Sequence, residues 1–133
     1  MTNHNRRRFL QATSALATSI SLANQTAHAK GDKKKIKIGQ IGTNHAHARS
    51  VFRQLKQVQD DYEIVGVVEN DPEKRKQLDG NFQDVPLITE EQLLNTQGLQ
   101  AVVVETEVEQ LLPTARRCAE AGMHIHLDKP AGE

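Results

Sequence analysis

Residues 39–47 place two glycines, an asparagine and two histidines in one short stretch, Gly39-Gln40-Ile41-Gly42-Thr43-Asn44-His45-Ala46-His47. A dinucleotide fingerprint of the form G-x-G-x-x-G, set on the turn after a first strand, would fall at Gly42, Asn44 and His47, with only its first glycine present. Asn44 tolerates positive φ and partly replaces the second glycine. His47 brings bulk to a position where close approach is usual. A helix starting here still offers unpaired N–H groups to a pyrophosphate, worth about 0.3–2 kcal/mol through its dipole. Glu69 follows Gly42 by 27 positions, and an acid at the end of a second strand accepts ribose hydroxyls. The same charge repels a 2′-phosphate and favours NAD over NADP. Lys74 and Arg75 nearby could restore NADP binding.

A third chemical position is Asp128, Lys129 and Pro130, just after a short β-prone run. A lysine at a strand's carboxyl end can orient a substrate hydroxyl or move its proton; taken alone, it equally fits an ordinary surface lysine. Two histidine pairs raise the question of a metal. His45 and His47 lie at a helix start, and His124 and His126 share one face of a strand. No Cys, Asp or Glu stands at matching spacing in the same segments, so first-turn packing and strand burial are the simpler explanations, with a histidine metal-binding module the remaining alternative.

These residues depend on elements that bring them together. Ile36, Ile38 and Ile41 lie among small or polar residues, as in a short strand. Ala48, Val51, Phe52, Leu55 and Val58 recur at helical spacing over residues 45–58. Residues 64–68 form a β-branched run suited to a strand covered on both faces. Asp71 can cap, and Pro72 can open, a helix through about Leu78. Residues 85–88 predict a short strand, and Thr89 with Glu90 and Glu91 caps a helix carrying Leu93 and Leu94. Residues 101–104 predict a central strand. Leu111, Ala115, Cys118 and Ala119 share a helix face over residues 109–121, with Pro113 in its first turns and Gly122 ending it. Residues 124–127 give the last strand. The expectation is an α/β fold, a doubly wound parallel sheet of about five strands with helices on both faces. Ligands of such sheets bind at the strands' carboxyl ends, near the point where strand order reverses.

The chain's start is of another kind. Arg6, Arg7 and Arg8 precede Phe9 and Leu10, and a weakly apolar stretch runs to Ala27, His28 and Ala29. This pattern predicts a cleavable export signal over residues 1–29, and the paired arginines resemble the twin-arginine type, which carries folded proteins. Its apolar part is too short and too rich in Ser and Thr for a membrane span of about 20 residues, so no anchor is expected after cleavage near Ala29, and the product would be periplasmic or otherwise exported. Residues 30–34 read as a linker and 35–133 as the folded domain. Of 17 basic and 17 acidic residues, the signal would remove three arginines, leaving a slightly acidic domain without a footprint for nucleic acid. Cys118, the only cysteine, cannot form an intrachain disulfide.

In order and spacing the sequence resembles the glucose–fructose oxidoreductase / inositol dehydrogenase / MocA family from about Lys35 to Glu133. The carriers are Lys37-Ile38-Gly39-Gln40-Ile41-Gly42-Thr43, Val67-Val68-Glu69-Asn70-Asp71-Pro72-Glu73-Lys74, Ala101-Val102-Val103-Val104-Glu105-Thr106, and Ala121-Gly122-Met123-His124-Ile125-His126-Leu127-Asp128-Lys129-Pro130. The last corresponds to the family's A-G-K-H-V-x-x-E-K-P stretch, with Asp for Glu.

The resemblance implies a Rossmann domain that binds NAD or NADP and acts on sugars, polyols or related hydroxy compounds. It would place Gly42, Thr43, Asn44 and His45 at the pyrophosphate, Glu69 at the adenosine ribose, Thr106 and Asp128 at the nicotinamide half, and Lys129 as the catalytic or substrate-orienting lysine. Glu107 departs from a common proline and adds negative charge near the cofactor channel. Ending at Glu133, the sequence would lack the family's sixth strand and its C-terminal α+β domain, and so be incomplete for catalysis by itself. The other reading is a non-catalytic Rossmann remnant that self-associates or docks on a complementing chain.

Overall fold

The computed structural model describes residues 33–131, and the expectations for the signal over residues 1–29, for linker residues 30–32 and for the end at Glu133 lie outside them. The segments read as strands form β1 (Ile36–Ile41), β2 (Tyr62–Val68), β3 (Leu99–Val104) and β4 (His124–Leu127). All pair in parallel, in the order β2-β1-β3-β4. The order reverses at β1, because the chain moves first to one side of it and then to the other. Among the described residues four strands form the sheet, one fewer than expected. Residues 85–88 contribute a single parallel bridge, Val67 to Leu87, held by Val67 N–H to Pro86 O at 2.9 Å and Ile88 N–H to Val67 O at 3.0 Å. Pro86 has no N–H to extend the ladder.

Helices α1 (Ala48–Gln57), α2 (Pro72–Lys76), α3 (Glu90–Leu94) and α4 (Val108–Glu120) fill the crossovers. Local chemistry sets their ends. The Asp71 side chain accepts from Glu73 N–H with Pro72 in the first turn. Thr89 and Gln92 form a reciprocal capping box. α4 begins earlier than periodicity suggests, which puts Pro113 inside it; the helix tolerates the lost bond because the freed carbonyl belongs to Glu109, an exposed residue.

Successive residues of β2 point to opposite faces, and this divides the core. Val67 packs with Phe52 of α1 and with Phe82, the two rings 4.7 Å apart. Val68 joins Ile41, Val102, Val104, Leu93, Leu111 and Cys118. Helices therefore cover both faces, as a doubly wound sheet requires. α3 approaches so closely that a Cβ on Gly39 would lie 2.4 Å from Leu93 Cδ1. No helix among the described residues is long and apolar enough to cross a membrane.

Phe52 has no exposed surface and anchors the smaller core cluster. Phe52→Ala should destabilise the domain by about 3–5 kcal/mol in urea unfolding. A loss below about 1 kcal/mol would contradict this packing.

Candidate functional site

One residue past each strand end comes a residue of chemical interest: Gly42 after β1, Glu69 after β2, Glu105 after β3 and Asp128 after β4. Backbone bonds draw these ends together. Gly42 N–H donates to Val68 O at 2.8 Å, Glu105 N–H to Ile41 O at 2.8 Å, and His45 N–H to Glu105 O at 3.2 Å. Gly42 adopts φ 91°, and a Cβ there would lie 2.5 Å from Glu105 O; only glycine fits. Gln40, fully buried, donates through Nε2 to Gly42 O at 2.9 Å and Ala48 O at 3.4 Å. It ties the glycine turn to the start of α1, a role that nothing in its sequence position signalled.

A cleft of about 270 Å³ opens here, lined among others by Gly42, Glu69, Lys74, Thr106, Glu107 and Gln110. Glu69 is buried. Its carboxylate accepts from Thr43 Oγ1 and, at 3.0 Å, from Asp71 N–H. Lys74 pairs with Glu107, and Arg75 Nε donates to the Glu69 carbonyl. The Lys74 hydrogen bond lowers the Glu107 pKa, and the same bond raises that of Lys74. The negative charge expected from Glu107 is thus answered by Lys74. Asn44 also reaches Glu107, with Nδ2 at 3.3 Å from Oε1. His47 occupies the N-cap of α1 without a side-chain capping bond, so its side chain leaves the helix's first-turn amides to other acceptors.

A second group of residues lies between the glycine turn and β4. Asp128 Oδ2 is 2.8 Å from His45 Nδ1 and 2.9 Å from His47 Nδ1, while Oδ1 accepts from Lys129 N–H at 2.7 Å. Sequence spacing offered the two histidines no carboxylate; the fold supplies one from 81 residues beyond His47. The other pair, His124 and His126, lies on an exposed strand face away from these carboxylates. Glu105, to which the sequence assigns no role, is fully buried with its Oε2 3.5 Å from His45 Nδ1, and among the described residues neither of its carboxylate oxygens has a hydrogen-bond partner.

The two carboxyls therefore titrate apart. Burial, then the neighbouring Asp128, raises Glu105 to about 8. For Asp128 the largest influence, burial, acts upward, but the Lys129 amide, Glu105, His47 and His45 together bring the pKa down. The remaining expected positions are also in the neighbourhood. Thr106 is buried beside the cleft with Oγ1 3.2 Å from Glu107 O, and the Lys129 side chain is exposed at the end of β4.

A family model described as "Oxidoreductase family, NAD-binding Rossmann fold" matches residues 36–132. No curated protein sequence matches the chain. Among solved structures, one described as an oxidoreductase of Erwinia carotovora atroseptica SCRI1043 is 26% identical, with a TM-score of 0.65 over 74% of this chain and 29% of its own. The WlbA dehydrogenase of Bordetella pertussis, solved with NADH and UDP-GlcNAcA, is 22% identical with a TM-score of 0.62 over 74% of this chain and 30% of its own. A Desulfitobacterium hafniense dcb-2 oxidoreductase described as NADPH-dependent is 19% identical with a TM-score of 0.61, covering 74% and 28%. The chain thus spans under a third of the length of these structures.

The Glu105 shift makes a prediction with a definite sign. A carboxyl raised from 4.5 to about 8 on folding holds a proton that the unfolded chain releases, so wild-type stability falls as pH rises between those values. Glu105→Gln removes this dependence. With EDTA present, the variant's melting-temperature gain over wild type should grow from pH 5 to pH 8 and then level off. A gain independent of pH would show that Glu105 ionises normally.

Proposed function

The chain belongs to the Gfo/Idh/MocA oxidoreductase family, whose NAD-binding Rossmann fold it carries, and on that premise we propose that it is the dinucleotide-binding module of an exported oxidoreductase of sugar- or polyol-like hydroxy compounds. The observation that carries the reading is the cleft at the strand-order reversal, with the Gly42 turn on one side and buried Glu69 on the other. The residues present suit a dinucleotide. Gly42 leaves room for close approach, and α1 has no side-chain cap to compete with a phosphate. Gly42, Thr43, Asn44 and His45 would face the pyrophosphate, and Glu69 the adenosine ribose. Thr106 and Asp128 would stand at the nicotinamide half. When bound, NAD supplies the hydride acceptor. Lys129 would orient a substrate hydroxyl through Nζ and take part in moving its proton.

Glu69 favours NAD over NADP, because its carboxylate repels a 2′-phosphate. The two cations that could offset it are engaged, Lys74 with Glu107 and Arg75 with the Glu69 carbonyl. The sugar-like substrate class rests on the family, and on the UDP-GlcNAcA bound by the WlbA dehydrogenase. Because the chain matches under a third of those relatives' length, turnover would need the remainder of such an enzyme, in the same chain or a partner. The exposed face of edge strand β4, with His124 and His126, gives a complementing chain or a second copy a place to pair. The arginine-rich start supports export before the signal is removed.

Titration calorimetry of the full chain should show saturable NADH binding, weakened about tenfold or more by Glu69→Ala, consistent with loss of charge-assisted hydrogen bonds of about 1.5–3 kcal/mol. That substitution should cost NADPH less than NADH. No heat at millimolar NADH would overturn the reading.

A further inference from the structure

His45, His47 and Asp128 each offer one ligand atom, all within 4.8 Å of one another, and we propose that with Glu105 they form a binding site for one divalent transition-metal ion of the zinc type. The proposal does not depend on dinucleotide binding.

The donor set decides the class of ion. Two imidazole nitrogens with carboxylate oxygens suit zinc, iron or nickel, whereas magnesium and calcium prefer oxygen alone. Asp128 Oδ2 lies 2.8 Å from one imidazole Nδ1 and 2.9 Å from the other. Metal–ligand bonds of about 2.0–2.2 Å would separate tetrahedral donors by about 3.3–3.6 Å, so these two contacts would open by about half an ångström. The His45 nitrogen is already crowded by acceptors and donors at once: Asp128 Oδ2, Glu105 Oε2 at 3.5 Å, and the His47 N–H at 3.3 Å.

Glu105 is the independent observation. It is a fully buried acid beside this cluster, and among the described residues neither of its oxygens has a hydrogen-bond partner. Buried polar groups without partners are rare and call for an explanation. A cation between Glu105 and Asp128 would provide one, answering two carboxylates with a single dication. The N-terminus of α1 opposes a cation with an effective charge of about +0.5, which two carboxylates outweigh. The alternative is a cluster held by protons alone, with each imidazole donating to Asp128.

Zinc titration by calorimetry separates the two. The full chain, freed of metal with EDTA, is titrated with Zn²⁺ alone at pH 7.5 beside His47→Gln, Glu105→Gln and His124→Gln. The proposal expects one tight Zn²⁺ per chain in wild type, weakened at least about tenfold by His47→Gln and by Glu105→Gln, as loss of ligating groups requires, and unchanged by His124→Gln. His4 and His28 are present in every variant, so their binding cancels. His47 is half-exposed, so its replacement should leave the fold intact by circular dichroism. Cobalt bound at the same site should show visible d–d absorption that His47→Gln abolishes. Absence of a stoichiometric site, binding undiminished in His47→Gln, or equal weakening by His124→Gln would overturn the proposal.

Discussion

Parallel pairing on both sides of β1 is the constraint from which the rest follows. From Lys37 to Ile41 this strand bonds to β2 on one side and β3 on the other. A parallel neighbour can be reached only by a crossover, so every strand runs in one direction and ends at one edge of the sheet. The residue after each strand then lands on that edge. Gly42, Glu69, Glu105 and Asp128 are far apart in sequence, yet the ladder and the backbone bonds beyond it align them. The order reversal at β1 keeps the crossovers from closing over that edge, and the cleft is the space left between them.

Charge at this edge is unevenly balanced. On the cleft side each acid has an answer: Glu107 has Lys74, and Glu69 has the Thr43 hydroxyl and the Asp71 amide. On the side toward β4, Asp128 takes two imidazoles and the Lys129 amide, while Glu105 has no hydrogen-bond partner among the described residues and only His45 Nδ1 at 3.5 Å. Burying such an acid costs stability at neutral pH, because the folded chain must either hold a proton there or bear an uncompensated charge. Rossmann packing alone does not require an acid at the end of β3. Its presence beside two imidazoles and a second carboxylate marks that corner as a place of chemistry rather than of packing.

The same geometry bears on the glycine fingerprint. His47 is bulky where the pattern has glycine, but its ring turns to Asp128 and closes the turn through a hydrogen bond of 2.9 Å. Gln40 supports the turn from below. The sequence departs from the dinucleotide pattern at the position where it acquires this contact, so the two features are one structural choice.

Much of this was legible in the amino-acid order. Apolar patterning marked four strands, Asp71 and Thr89 marked two helix starts, and Gly42 marked the turn, because each depends on neighbours within a few residues. The spacing of those pieces carried the family resemblance. Residues 85–88 have the pattern of a short strand yet make a single bridge, because periodicity registers apolar side chains, not the N–H that Pro86 lacks. The histidine pairs looked equivalent in sequence, and only tertiary structure set His45 and His47 against Asp128 and Glu105 while leaving His124 and His126 on an open face. No local pattern could reveal that contact, because the carboxylate arrives from 81 residues away through the order in which the strands pair.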